Sequence, residues 1–125
     1  MINGAHFLLY SKDPEADRAF LRDVLEFRSV DAGQGWLIFA LPPAEIAVHP
    51  VDEDASPVDA GEVVGASLYL MCDDLPSTMK LLESKNVLCS EVNEAPWGIV
   101  TTFRLPSGGE IGLYQPTHPT ALELR

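Results

Sequence analysis

Basic residues are scarce in this sequence. Its 125 residues include only 8 Lys and Arg against 19 Asp and Glu, which gives a formal net charge of −11. This charge would repel a phosphate backbone, and no cluster of Lys or Arg provides a local exception, so we expect no nucleic-acid partner. Anionic membrane surfaces are disfavoured for the same reason.

Long apolar segments and cysteines are also scarce. No apolar run approaches the ~20 residues that a membrane-spanning helix needs, and the first residues lack the charged region and cleavage site of a signal peptide. The two cysteines, Cys72 and Cys89, lie within apolar runs, which favours buried thiols in a reducing compartment over a disulfide or a reactive cysteine. We therefore expect a cytoplasmic protein with no membrane segment.

The sequence does contain a repeated segment. Residues 45–50 read EIAVHP and residues 110–116 read EIGLYQP, and each segment follows an aromatic residue and a Leu-Pro turn. Two further landmarks share an offset of 61 residues, namely the pairs His6–Ser67 and Asp13–Asp74. Repetition of this kind indicates two copies of one supersecondary unit.

The predicted elements follow the order βαβββ in each copy. Helices are predicted to begin after Asp13 and Asp74, because each Asp can cap a helix whose first turn contains a proline. Apolar runs bounded by turn residues predict the strands. These strands are expected at residues 4–10, 27–30, 36–41 and 45–51 in the first copy and at 64–72, 87–92, 99–105 and 110–115 in the second.

The predicted fold class is α+β, with one domain spanning residues 1–125. This domain would consist of two tandem βαβββ modules, at about residues 4–51 and 64–116. A polar segment at residues 52–63 would link the modules, and residues 117–125 would form a C-terminal arm.

Two stretches of the sequence resemble the vicinal oxygen chelate superfamily, which includes glyoxalase I, bleomycin-resistance proteins, fosfomycin-resistance enzymes and extradiol dioxygenases. In AHFLLYSKDPEADRAFLRDVLEF a first-strand His precedes a DxxADRAF-type helix, and FRLPSGGEIGLYQP is similar to the family's final DPxGNxIELxxP strand. The resemblance covers residues 4–116 and implies two βαβββ modules whose curved sheets enclose one small-molecule cavity. It also implies a homodimer.

Metal-dependent members of this superfamily hold their ligands on the first and last strands of each module. Carried onto this chain, the resemblance puts those four positions at His6, Ser67, Ala47 and Gly112. Only His6 has a side chain suited to a transition metal, since Ser is a poor ligand and Ala and Gly have no donor atom. By this alignment we expect no metal cofactor.

Four polar side chains lie two residues along a strand from Ala47 or Gly112, and they therefore share a strand face with those positions. They are Glu45, His49, Glu110 and Tyr114. Two residues along a strand span ~6.6–6.8 Å, whereas a metal needs its N and O ligands at ~2.0–2.2 Å. These side chains therefore do not converge on His6 unless the strand register shifts.

A β-bulge at residues 108–109, both glycine, could supply such a shift. The alternative is thus a divalent metal (Zn, Ni, Mn or Fe) bound by His6, Glu110 and either Glu45 or His49, in a lyase, isomerase or dioxygenase that polarises vicinal oxygens. A further alternative is a metal-free enzyme with Glu110 and His6 as its catalytic acid and base.

Our prediction is a binding protein for a small organic molecule, with an aromatic-lined cavity and no catalytic metal. The candidate ligand-binding residues are His6, Glu45, His49, Ser67, Tyr69, Glu110, Tyr114 and Trp36, with Trp97 as another aromatic residue near the openings. The acidic total charge favours a cationic or neutral ligand. The sequence leaves open whether the protein is an enzyme, because that depends on the site and not on the fold.

Overall fold

The computed structural model describes residues 6–47, 66–122 and 124. The chain forms two compact units. Unit 1 comprises Met1–Ala40 and Arg104–Glu110, and unit 2 comprises Leu41–Phe103 and Ile111–Arg125. Within the described residues, no helix has the length and apolar character required to cross a bilayer.

Helix α1 (Pro14–Asp23) begins where the sequence predicts it in unit 1. The Asp13 carboxylate accepts a hydrogen bond from the backbone N–H of Ala16, and the proline occupies the first turn, where its missing N–H costs nothing. After the helix, Glu26 adopts a left-handed backbone conformation with φ of 59°. The chain turns at this point towards the first strand.

Strands β1 (Ser29–Asp31) and β2 (Leu37–Phe39) form an antiparallel hairpin in unit 1. The Asp31 carboxylate accepts hydrogen bonds from the backbone N–H groups of Gly33 and Gly35. Both glycines have positive φ, at 139° and 86°, a conformation that other residues rarely adopt. This Gly-Gln-Gly turn connects the two strands of the hairpin.

Unit 2 contains a four-stranded sheet and helix α2 (Leu75–Ser84), which Asp74 caps. The strands, named in chain order, are β3 (Tyr69–Met71), β4 (Asn93–Ala95), β5 (Gly98–Arg104) and β6 (Glu110–Pro116). Their order in the sheet is β3-β6-β5-β4, with β3 parallel to β6 and β4 antiparallel to β5. The element order β3-α2-β4-β5-β6 confirms the predicted βαβββ arrangement of the second module.

The core of unit 2 is mainly apolar. Its buried side chains include Leu75, Leu82, Val87, Phe103, Ile111, Leu113 and Tyr114, together with one polar residue, Thr101. Because strand side chains alternate between faces, Ile111 and Leu113 lie on one face of β6 while Gly112 and Tyr114 lie on the other. The Gln115 side-chain oxygen accepts a hydrogen bond of 2.9 Å from the backbone N–H of Leu75 and so ties α2 to β6.

A buried aspartate joins the two chain segments of unit 1. Asp17 lies on α1 with only 7% of its surface exposed. Its carboxylate accepts hydrogen bonds from the backbone N–H of Ser107 at 3.1 Å and from the Ser107 hydroxyl at 2.7 Å. Helix α1 therefore holds the turn that connects β5 to β6.

Three predicted strands differ from the structure. Of the strand predicted at residues 45–51, residues 45–47 are in no strand and residues 48–51 lie outside the described part of the chain. Residues 87–92 do not form a regular strand, and the segment that pairs with β5 is Asn93–Ala95. Hydroxyl groups replace part of the ladder here, because the Thr102 N–H donates to the Ser90 hydroxyl and the Thr101 hydroxyl donates to the Ser90 carbonyl. Residues 6–10 are apolar but are not in a ladder, since β propensity alone does not supply a neighbouring strand.

Candidate functional site

Three aromatic side chains of unit 2 pack against one another. The ring centroids of Tyr69 and Trp97 are 6.0 Å apart, those of Tyr69 and Tyr114 are 5.9 Å apart, and those of Trp97 and Tyr114 are 5.2 Å apart. The interplanar angles are 86°, 86° and 81°, so each ring stands edge-on to the other two. Edge-to-face pairs at such distances are favourable for aromatic rings. We call these three residues the aromatic cluster.

Strand pairing places two members of the aromatic cluster on one face of the sheet. Tyr69 on β3 lies opposite Gly112 on β6, and Met71 lies opposite Tyr114. Side chains two apart on a strand share a face, so Tyr69, Gly112 and Tyr114 are on the same side. Trp97 lies in the two-residue connection between β4 and β5.

The absence of a side chain at Gly112 makes room for the Tyr69 ring. A Cβ atom at position 112 would collide with carbons Cδ1 and Cε1 of that ring. The Tyr69 ring therefore covers the place where the sequence alignment puts a metal ligand. A Glu side chain at position 112 is incompatible with this position of the ring.

The C-terminal segment of residues 117–122 folds back onto the aromatic cluster. The Thr117 backbone N–H donates to the Trp97 carbonyl at 3.0 Å, and the Thr117 hydroxyl donates to the Pro96 carbonyl at 3.2 Å. The Ala121 backbone N–H donates to the Glu45 carboxylate at 3.4 Å. These bonds attach the segment that the sequence analysis described as an arm.

His118 in this segment stacks on Tyr114, with 6.0 Å between ring centroids and 27° between ring planes. Its Nδ1 atom lies 2.8 Å from the carbonyl oxygen of Pro119, which can only accept, so in the neutral ring Nδ1 carries the proton. Atom Nε2 is then an acceptor. It lies 3.3 Å from the Tyr114 hydroxyl, which donates to it.

The electrostatic environment keeps the Tyr114 hydroxyl protonated. Burial raises the pKa of this phenol, and the negative charge of Glu45 raises it further. The cluster thus presents aromatic rings, the hydroxyls of Tyr69 and Tyr114, the indole N–H of Trp97 and one nearby carboxylate, that of Glu45. This combination suits recognition of an organic molecule through stacking and one or two hydrogen bonds.

Comparison with known proteins identifies the fold. No family model and no curated protein sequence matches this chain. The structure is similar to TnmS3, an antibiotic binding protein from Streptomyces sp. CB03234, with a TM-score of 0.63 and 22% identity over 94% of this chain and 99% of that one. It is also similar to lactoylglutathione lyase from Agrobacterium tumefaciens, with a TM-score of 0.62 and 18% identity over 90% of this chain and 92% of that one.

A glyoxylase/bleomycin resistance protein/dioxygenase domain from Frankia sp. EAN1pec is similar as well, with a TM-score of 0.59 and 14% identity over 93% of this chain and 98% of that one. The chain has the glyoxalase/bleomycin resistance/dioxygenase fold. The predicted α+β fold is confirmed. Binding proteins and a lyase share this fold, so function must be argued from the site.

Three of the four positions to which the sequence alignment carries metal ligands have no side chain suited to a transition metal. Ala47 and Gly112 have no donor atom, Ser67 has only a hydroxyl, and the Tyr69 ring covers position 112. Among residues 6–47, 66–122 and 124, no group of three or more His, Cys, Asp and Glu side chains is arranged to hold a metal. His49 lies outside these residues.

The candidate residues from the sequence are divided between the two units of the glyoxalase fold. Tyr69, Tyr114 and Glu45 come together at the aromatic cluster in unit 2, and Ser67 is exposed just before β3. His6, Glu110 and Trp36 belong to unit 1, where His6 and Glu110 are exposed and the Arg18 guanidinium lies 4.6 Å from the ring centroid of Trp36.

One residue at the site has no counterpart among the sequence candidates. His118 follows the last strand by two residues, and no motif or periodicity marks it. Its four-residue separation from Tyr114 is the one local signal, and it is a weak one because the intervening chain is not helical. The fold-back of residues 117–122 depends on tertiary hydrogen bonds, which no local pattern encodes.

Proposed function

We propose that this protein binds a small organic molecule at the aromatic cluster and does so without a catalytic metal. The observation that supports this most is the position of Tyr69. Its ring lies over Gly112, where a metal-dependent relative would carry a ligand, and 43% of the residue remains exposed. Exposed aromatic surface beside a buried hydroxyl and a carboxylate is typical of a ligand site.

The charges of the chain favour a neutral or cationic ligand. The net charge is −11, and the Glu45 carboxylate acts directly on Tyr114. Aromatic faces also attract cations through their quadrupoles. TnmS3, which has the same fold, is an antibiotic binding protein, and this similarity supports a role in binding without any chemical step.

A thermal-shift screen of planar organic compounds against metal-analysed protein tests this proposal. The wild-type protein is purified without chelators, and we expect it to contain less than stoichiometric metal. We expect some compounds to raise the melting temperature of this protein. Tyr69→Ala should abolish the shifts. Leu88→Ala is the matched control, because it removes an apolar side chain of unit 2 that is 81% exposed and outside the aromatic cluster.

The metal analysis also tests the alternative, a metal-dependent enzyme. Stoichiometric Zn, Ni, Mn or Fe that disappears in a Glu110→Ala or His6→Ala variant would contradict the metal-free proposal. Compound-induced shifts that survive Tyr69→Ala would contradict the proposed place of binding.

We also propose that the chain forms a homodimer. The support is the exposed apolar run at residues 7–10, where Tyr10 is 86% and Leu8 63% exposed. Surfaces of this kind commonly mark contacts between proteins. Sedimentation velocity should show a dimer that Leu8→Lys converts to a monomer, and a monomer at all concentrations would contradict the proposal. The cytoplasmic location stays a prediction.

A further inference from the structure

We infer that the His118 ring occupies the position on Tyr114 that the ligand takes when it binds. The ligand would then be a planar heteroaromatic ring carrying an unprotonated nitrogen. This inference rests on the proposed function and names the ligand class of the same site. It begins from the contacts of His118, which is a flat ring, stacks on Tyr114 and accepts the hydrogen bond of the Tyr114 hydroxyl. Those are the interactions that a bound heteroaromatic ligand would make.

The attachment of the C-terminal segment is uneven along its length. Thr117 is fixed by two hydrogen bonds, at 3.0 and 3.2 Å, to the carbonyls of Trp97 and Pro96. Beyond Thr117, the bonds to the rest of unit 2 are longer, at 3.3 Å from Tyr114 to His118 and 3.4 Å from Ala121 to Glu45. Thr117 is held by a backbone hydrogen bond of ordinary length, whereas residues 119–121 are exposed. We therefore take residues 118–122 as the part of the segment that can leave while Thr117 stays attached.

Departure of the segment uncovers two polar groups with opposite requirements. The Tyr114 hydroxyl loses its acceptor, and the Glu45 carboxylate loses the N–H of Ala121. A ligand that takes the place of His118 excludes water from the Tyr114 hydroxyl, so it must bring its own acceptor or leave this donor unsatisfied. A donor or positive charge elsewhere on the ligand would satisfy Glu45.

The need for an acceptor means that two ligands differing in a single ring atom should bind with different affinities. A planar compound with a ring nitrogen in the plane can accept from Tyr114, whereas the same compound with a C–H group at that position cannot. The pair 1-methylbenzimidazole and 1-methylindole differs in this one position. Their relative affinity measures the hydrogen bond without changing the stacking surface.

Titration of the full chain with both probes, followed by NMR, tests the inference. We expect 1-methylbenzimidazole to bind roughly fivefold more tightly than 1-methylindole, the effect of one net hydrogen bond. Tyr114→Phe should remove this preference while leaving the stacking ring in place. His118→Ala should tighten binding of both probes by about fivefold to tenfold, because no ring has to be displaced.

A measurement on the wild-type protein does not depend on the variants. Saturation with 1-methylbenzimidazole should shift the His118 ring resonances and speed hydrogen exchange of the Ala121 amide. Unchanged His118 resonances and Ala121 exchange at saturation would overturn the inference, as would weaker probe binding to His118→Ala. If neither probe binds but screen compounds still bind in a Tyr69-dependent manner, the inference fails and the proposed function stands.

Discussion

Ile46 and Ile111 occupy equivalent positions in the two copies of the repeated segment, and their surroundings are opposite. Ile46 is 93% exposed, whereas Ile111 is 1% exposed. Ile111 lies on β6, which has β3 on one side and β5 on the other. Residues 45–47 are in no strand. The comparison teaches that a shared sequence frame becomes a buried strand only where neighbouring strands satisfy its backbone.

The polar residues of the two copies differ in the same way. Glu110 begins β6 and is exposed, whereas Glu45 is half-buried and accepts the hydrogen bond of Ala121. The negative charge of Glu45 also raises the pKa of Tyr114, so this phenol ionises less readily. The segment at residues 110–116 therefore builds the sheet, whereas the segment at residues 45–47 contributes a charge to the aromatic cluster.

The largest difference between the copies should appear on truncating the two isoleucines. Ile111→Ala should lower the free energy of unfolding by about 2–5 kcal/mol, because it removes fully buried methyl groups and leaves a cavity. Ile46→Ala should change it by less than about 0.5 kcal/mol, since the side chain is in solvent. Urea denaturation measures both, and equal losses would show that the copies are buried alike.

A glutamate introduced at position 112 or at position 47, where the alignment puts metal ligands, should also affect the two segments differently. Gly112→Glu forces the Tyr69 ring to move and should destabilise the fold by about 1–3 kcal/mol, with loss of ligand binding at the aromatic cluster. Ala47→Glu is exposed and should cost less than about 0.5 kcal/mol. Thermal shift with a screen compound checks both effects. Undiminished ligand binding by Gly112→Glu would contradict the position assigned to Tyr69.

The helix caps are where the copies should behave alike. Asp13→Ala and Asp74→Ala each remove a side-chain acceptor from a helix N-terminus, and each should cost about 1 kcal/mol. Chemical denaturation of the two variants gives the comparison directly. A difference between them larger than that value would mean that one cap has a second role.

The smallest expected effect concerns pH and only the second copy. Burial raises the pKa of the Cys72 and Cys89 thiols, so the folded chain holds these protons more tightly than the unfolded chain. The stability they contribute is fully present below the ordinary thiol pKa and is lost as pH rises through the folded values. A Cys72→Ala, Cys89→Ala double variant should lose less stability than wild type between neutral and alkaline pH, and parallel pH profiles would contradict this.

The parts of the fold that sequence analysis predicted correctly depend on local signals. Asp13 and Asp74 each precede a proline, and this capping pattern fixed both helix starts. Apolar runs bounded by turn residues predicted β5 and β6, and the neighbours of these strands in the sheet come from the same part of the chain. The turn at Gly33 and Gly35 follows from the positive φ values that glycine tolerates.

The remaining parts depend on contacts between distant residues. The irregular segment at residues 87–92 results from hydroxyl hydrogen bonds of Ser90 to the following strand. The site combines Glu45 with Ala121, which are 76 positions apart, and with a histidine that no motif marks. A sequence pattern can identify a candidate residue such as Tyr69, but it cannot show that its ring covers position 112.

The most direct test of ligand binding at the aromatic cluster uses Trp97 as a reporter. The chain has two tryptophans, so Trp36→Phe leaves Trp97 as the single source of tryptophan fluorescence. Titration of this metal-analysed variant with a compound from the thermal-shift screen should change Trp97 fluorescence to saturation, and Tyr69→Ala should abolish the change. Saturable binding that leaves Trp97 fluorescence unaltered, or that requires stoichiometric metal, would contradict the account.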